Sequence, residues 1–156
     1  MIKYLITDCD GVLTDGKYYY TADGKYIIPY HCDDSIAFRL ARNSGLCCVM
    51  ISSTTYPEIH IKRATELDIE FISSRPTGFK LATLSNRFNL DTIAYVGDTL
   101  DDIQMLDRAF VSFVPNSSLD EVKEHADYVL SRNGGEGCLL EVLLILRDKY
   151  GIDIRY

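Results

Sequence analysis

A three-layer α/β fold, a Rossmann-like parallel sheet with helices on both faces, is predicted by three observations. Short apolar runs at Lys3 to Cys9, Cys47 to Ile51 and Ile93 to Val96 end in small or acidic residues, as expected of strands buried on both faces. Between them lie segments with apolar residues at helical spacing, an alternation that calls for parallel strands joined by helical crossovers. No internal repeat, low-complexity stretch or long linker interrupts the 156 residues, so residues 1–156 are expected to form a single domain. A chain of that size buries roughly 68–70% of its unfolded surface, enough for a core without disulfides.

Taken in order, Lys3 to Cys9 is the first strand. Lys17-Tyr18-Tyr19-Tyr20, Thr21-Ala22-Asp23-Gly24 and Lys25 to His31 then read as strand, Asp-Gly turn and strand, a β-hairpin flap over about 17–31. Ser35 to Arg42 has helical spacing with Gly45 just beyond it, Pro57 to Leu67 opens with a proline at a helix start, and Phe79 to Phe88 repeats the period. After the Ile93 strand come a helix at Leu100 to Leu106, a strand at Phe110 to Phe113, a helix at Leu119 to His125, a short strand at Tyr128 to Leu130, and a closing helix from Cys138 to about Tyr150.

Composition narrows the function classes. The formal charge of −7 disfavours nucleic acid, which selects basic surfaces. The five cysteines, with Cys9, Cys47, Cys48 and Cys138 in apolar contexts, lack paired zinc spacing and are expected as reduced core residues. The chain starts directly in a strand and contains no run of ~18 uncharged apolar residues, which predicts a soluble cytoplasmic protein with no membrane partner. His31, His60 and His125 show no metal-ligand spacing and are assigned no chemistry.

Chemistry concentrates where the strands end, because ligands of open parallel sheets bind beyond the carboxyl ends of their strands. Asp8 and Asp10 follow the first strand on one face, and Gly11 permits a sharp turn. Ser52, Ser53 and Thr54 follow the second and can hold phosphate oxygens. Gly97-Asp98-Thr99-Leu100-Asp101-Asp102 follows the Ile93 strand, and Lys80 opens a helix with a cation. Two carboxylate clusters from different strands suit a hard divalent ion, and Mg²⁺ takes one or two carboxylates with other oxygens completing its octahedron. The assembly reads as a phosphate-transfer site. The pair Asp8 and Asp10 suits a nucleophile beside an acid/base, with Asp8 expected to attack phosphorus and Asp10 to move the proton. Ser52 and Lys80 bind the non-bridging oxygens, Asp8 and Asp98 hold the ion, and Asp101 and Asp102 orient metal-bound water or Lys80.

In order and spacing, Asp8-x-Asp10-Gly11-Val12-x-Thr14-Asp15-Gly16, Ser52, Lys80 and Gly97-Asp98-x-x-x-Asp102 resemble the four motifs of the haloacid dehalogenase-like phosphatases. The hairpin cap, the Asp34-Ser35 pair and Gly134-Gly135-Glu136-Gly137 are similar, more narrowly, to the 3-deoxy-D-manno-octulosonate 8-phosphate phosphatases and their sialic-type 9-phosphate relatives. That resemblance implies the Asp10 backbone carbonyl as a third metal ligand and a sugar-phosphate substrate touched by Asp34, Ser53, Thr54 and Arg63. It also implies a homotetramer with shared active sites. The chain departs from the family at Ser53-Thr54, where Gly followed by Arg or Glu is usual, at Glu66, where a sialic-type relative has Lys, and at Thr99, where a second Asp is common. Two other classes fit parts of the pattern: a weakly catalytic assembly domain for a nucleotide-sugar synthetase, and a phosphoacceptor receiver module. Intact Asp8 and Asp10 oppose the first, and the hairpin after the Asp-x-Asp-Gly motif opposes the second.

Overall fold

The computed structural model describes residues 1–75 and 79–156, with Lys25 and Tyr26 described only through their backbone. Among the described residues, six parallel strands form one sheet in the order β5-β4-β1-β6-β7-β8. These are β1 (Tyr4–Asp8), β4 (Cys47–Ser52), β5 (Glu70–Ser73), β6 (Ile93–Val96), β7 (Val111–Val114) and β8 (Tyr128–Val129). A separate antiparallel hairpin of β2 (Tyr19–Thr21) and β3 (Gly24–Ile27) follows the first strand. The predicted α/β class and the hairpin are therefore both present.

Alternate residues of the central strands feed opposite faces, which is why the sheet carries two cores. On one face Leu5, Cys48, Met50, Ala94 and Phe113 pack with Phe38 and Ala41 of α1 (Cys32–Asn43), Ala64 of α2 (Glu58–Leu67), and Val142 and Leu146 of α6 (Cys138–Tyr150). On the other, Ile6, Val49, Ile51 and Tyr95 meet Leu84 of α3 (Lys80–Ser85), Met105 and Leu106 of α4 (Ile103–Leu106), and Val122 of α5 (Asp120–Lys123). Three layers result. Among the described residues no helix is long and apolar enough to cross a membrane.

Several boundaries differ from the sequence reading. β5 was not anticipated, because Glu70-Phe71-Ile72-Ser73 is an edge strand with only Ile72 fully buried and lacks the apolar run of its neighbours. α1 starts at Cys32 rather than Ser35, with His31 accepting from Asp33 N. α3 stops at Ser85, three residues before the expected end. The hairpin strands cover less than 17–31. Cys47, expected in the core, is exposed at the first position of β4, as is Cys32 at the start of α1.

β1 pairs with β4 on one side and β6 on the other, Asp8 lying opposite Ile51 and Thr7 opposite Val96. The crossovers diverge from β1 here, so the ends of three adjacent strands face one crevice. The segment after β1 is a tight coil closed by Leu13 N to Cys9 O and by buried Thr14, whose Oγ1 accepts from Gly11 N and Gly16 N. The glycine-rich segment before α6 braces it from behind. Gly135 N donates to Val12 O, and a Cβ added at Gly134 would lie 1.7 Å from Gly11 O. Gly134→Ala must push these loops apart and is expected to cost about 1–3 kcal/mol, seen as a Tm drop of several degrees in thermal unfolding. An unchanged Tm would show that the brace yields freely.

Candidate active site

Buried charge organises the crevice. Lys80 is 2% exposed, and its Nζ sits 3.0 Å from Asp8 Oδ2 and 2.7 Å from Asp102 Oδ1. α3 delivers it from the first helical residue, pointing the long side chain back beneath the ends of β1 and β6. A buried ammonium would ordinarily lose its proton, but the paired carboxylates more than offset burial and hold Lys80 above its usual range.

Asp102 anchors this arrangement. Its Oδ1 also accepts from the Tyr95 hydroxyl at 2.5 Å, and its Oδ2 accepts from Asp98 N, Thr99 N and Thr99 Oγ1, each at 3.1 Å. Burial works against its charge, yet Lys80 and these donors hold its carboxyl below the ordinary range. With both oxygens committed, Asp102 shapes the Gly97–Thr99 turn and positions Lys80. Gly97 is required there, since a Cβ would come within 2.6 Å of the Asp102 carboxylate carbon.

Asp8 and Asp98 behave oppositely. Burial raises Asp8 to about 6 despite the Lys80 ammonium, and burial with the neighbouring Asp8 and Asp102 charges raises Asp98 to about 8. Carboxylate oxygens of Asp8, Asp98 and Asp102 lie within 4.8 Å of one another, and Asp98 Oδ1 is buried with no hydrogen-bond partner among the described residues. Among the described residues one internal cation faces three crowded carboxylates and leaves negative charge uncompensated, and an all-oxygen donor set is what a hard divalent ion takes. The residues therefore fit such an ion. Gly11, at φ +92°, lets the backbone pass so close that a Cβ would fall 1.9 Å from Asp98 Oδ2.

The other candidates fall into two groups. Asp10 projects from the coil after β1 with its Oδ2 3.2 Å from His60 Nε2, and its carboxylate also bonds Tyr18 at the start of the hairpin. Ser52 is buried at the end of β4, one residue beyond Asp8's partner Ile51, with its Oγ accepting from Thr54 N. Ser53 and Thr54 are half-buried in the following turn. Arg63, half-buried on α2, donates to Ser35 Oγ, pairs with Glu66 at 3.6 Å and lies 5.2 Å over the Tyr30 ring.

Asp34 and Asp101 are not members of the three-carboxylate cluster. Asp34 is 3% exposed, and its Oδ1 caps the first turn of α6 by accepting from Leu139 N at 3.1 Å. Burial raises it to about 7. It forms a joint between α1 and α6, while its Oδ2 is buried with no hydrogen-bond partner among the described residues. Asp101 is exposed in the 3₁₀ turn and lines a surface cavity together with Asp98, Ser117 and Leu119, its own carboxylate lying outside the Asp8, Asp98 and Asp102 group. His60, given no chemistry in the sequence reading, is fully buried against Asp10. Its signal is modest: His60, Ala64 and Leu67 share one face of α2.

Residues 78–142 match the family profile of the haloacid dehalogenase-like hydrolases. The 3-deoxy-D-manno-octulosonate 8-phosphate phosphatase of Haemophilus influenzae is 29% identical over 146 residues, covering 90% of this chain and 80% of that protein. A cobalt-bound structure of the deoxy-D-mannose-octulosonate 8-phosphate phosphatase from Haemophilus influenzae is 30% identical, superposes with a TM-score of 0.83, and spans 94% of this chain and 88% of that one. The 3-deoxy-D-manno-octulosonate 8-phosphate phosphatase of Moraxella catarrhalis, in complex with magnesium, phosphate and the KDO molecule, is 26% identical with a TM-score of 0.86, covering 97% and 90% of the two chains. With a carboxylate-rich crevice at the sheet's switch point and relatives that match it nearly end to end, this chain belongs to the haloacid dehalogenase-like hydrolases and is a phosphatase.

Proposed function

We propose that this phosphatase hydrolyses a phosphorylated 3-deoxy keto-sugar acid, octulosonate 8-phosphate or a nonulosonate 9-phosphate, through an aspartyl-phosphate on Asp8. The observation that carries the chemistry is the buried Lys80 ammonium shared between Asp8 and Asp102 beside Asp98. The substrate class is supported by the octulosonate 8-phosphate phosphatases that this chain resembles along most of its length.

In the first displacement an Asp8 oxygen attacks phosphorus, the phosphorus–oxygen bond to the sugar breaks, and Asp10 gives its proton to the departing alkoxide. In the second, Asp10 takes a proton from water, the water oxygen attacks phosphorus, and the bond to Asp8 breaks to release phosphate. Two of the three Lys80 N–H bonds are engaged by Asp8 and Asp102, leaving the third for a non-bridging phosphate oxygen. Ser52 serves a second oxygen from the adjacent strand end. Asp8, Asp98 and the Asp10 backbone carbonyl would hold Mg²⁺, which when bound offsets the repulsion between the Asp8 carboxylate and the phosphate dianion. Arg63 on α2 and Ser53 and Thr54 after β4 are assigned to the sugar acid.

The same reading includes a cytoplasmic homotetramer with shared active sites. Tyr19, Tyr20 and Ile27 of the hairpin are each more than half exposed, an apolar surface suited to covering by a neighbouring copy.

A phosphate-release screen with Mg²⁺ over octulosonate 8-phosphate, nonulosonate 9-phosphates and common hexose and pentose phosphates tests the substrate. Preference for a keto-sugar acid is expected, and EDTA should abolish turnover until Mg²⁺ is restored. Absence of turnover on every ester by folded protein would favour an assembly domain instead. Asp8→Asn should lower kcat on the order of 10³-fold or more while leaving the circular dichroism spectrum unchanged; near-native turnover would remove Asp8 as nucleophile.

The raised carboxyls make a further test. With Asp8 at about 6, Asp34 at about 7 and Asp98 at about 8 against an ordinary value of 3.8, the folded state holds protons that the unfolded chain releases. Their contribution is full below the unfolded value and is lost as pH rises through the folded ones. The Tm of metal-free protein should fall between about pH 5 and pH 8, and Mg²⁺ should raise it more at the upper end. A flat profile without a Mg²⁺ shift would contradict the charge arrangement.

A further inference from the structure

His60 is the one fully buried histidine among the described residues, and both ring nitrogens point at polar partners. Nε2 lies 3.2 Å from Asp10 Oδ2 and Nδ1 lies 2.5 Å from the Tyr30 hydroxyl. The ring stacks on Phe71 of β5 with centroids 6.3 Å apart and meets Tyr30 edge-on at 6.2 Å. It can neither rotate nor withdraw without opening an apolar pocket. Arg63 lies over the far partner, Tyr30, so one packed chain of side chains runs from Asp10 through α2 to a residue assigned to the sugar acid.

We infer that His60, with its tautomer set by Tyr30, is a positioning residue that aims the Asp10 carboxyl for proton transfer. The inference rests on the acid/base role of Asp10 proposed above. An ionised Asp10 can only accept, so Nε2 carries the hydrogen and Nδ1 accepts from the Tyr30 hydroxyl. A hydrogen bond to Oδ2 from a ring locked in the core, together with the Tyr18 bond to the same carboxylate, fixes the torsion of a side chain that projects from a loop. It does so in both half-reactions, because the N–H is on the same oxygen whether Asp10 is about to give a proton or has just given it. Preorganisation of this kind is where a misplacement of about 1 Å costs on the order of 10²-fold.

The test is steady-state kinetics on the sugar phosphate that the screen above shows to be turned over fastest, with a double-mutant cycle against Asp10. His60→Leu keeps the apolar volume and removes the donor; kcat should fall roughly 10–100-fold with KM within about twofold. His60→Gln, whose amide nitrogen reaches the Nε2 position, should recover at least about a third of the native kcat. In an Asp10→Asn background His60→Leu should cost less than about twofold further, since there is no proton transfer left to aim. A folded His60→Leu with native kcat, a loss confined to KM, or losses that multiply in the double variant would overturn the inference. If His60→Leu does not fold, Tyr30→Phe, which removes only the hydroxyl, runs the same cycle, and multiplied losses there count equally against it. Native kcat in Asp10→Asn alone would instead remove the acid/base role beneath, so the two failures read differently.

Discussion

The constraint on which the rest depends is one buried ammonium among three carboxylates. Lys80 pairs with Asp102 and Asp8 and, among the described residues, leaves Asp98 without an ion-pair partner. Partners left unequal in this way drive the proton affinities apart, Asp102 down and Asp98 up, on groups only a few ångströms from each other. Breaking a buried pair leaves an uncompensated charge, so the helix carrying Lys80 and the turn carrying Asp102 are bound to the end of β1 by electrostatics as well as by packing. The residual negative charge is what a phosphate dianion must approach, and it is also what a divalent cation fits.

Around this centre the fold supplies close approach. Gly11 passes beside the Asp98 carboxylate, Gly97 beside that of Asp102, and Gly134 against the Gly11 carbonyl. At each, a methyl group would displace a backbone or a carboxylate by more than packing tolerates. Asp34 belongs to the same scaffolding. Its bond to Leu139 N ties α1 to the start of α6, and α6 follows the glycine segment that supports the acidic coil. The glycine run therefore acts as a backstop for the coil after β1.

The second network is softer and more distributed. Asp10 lies on a coil, half outside the buried cluster, and its partners come from the hairpin through Tyr18 and from α2 through His60. The hairpin, α2 and the coil carrying Asp10 are thus linked through these side chains. The carboxylate cluster around Lys80 is held by charge and backbone hydrogen bonds, whereas the Asp10 side is held by aromatic contact and an imidazole.

What the sequence by itself determined were the features repeated locally: parallel strands read from apolar runs, helices from their period, the hairpin from its Asp-Gly turn, and Asp8, Asp10, Ser52, Lys80 and Asp98 from their places at strand ends or a helix start. These are legible because strand burial and turn chemistry act over a few residues. β5 escaped, since an edge strand with a single fully buried residue has no such signature. Tertiary structure alone decided which carboxylate Lys80 would serve, that Asp34 would cap α6, that Asp101 would face outward, and that His60 would reach Asp10 across fifty positions of chain. Those outcomes depend on distances between elements that are far apart in sequence, and side-chain type carries no record of what will stand opposite once the sheet has closed its order.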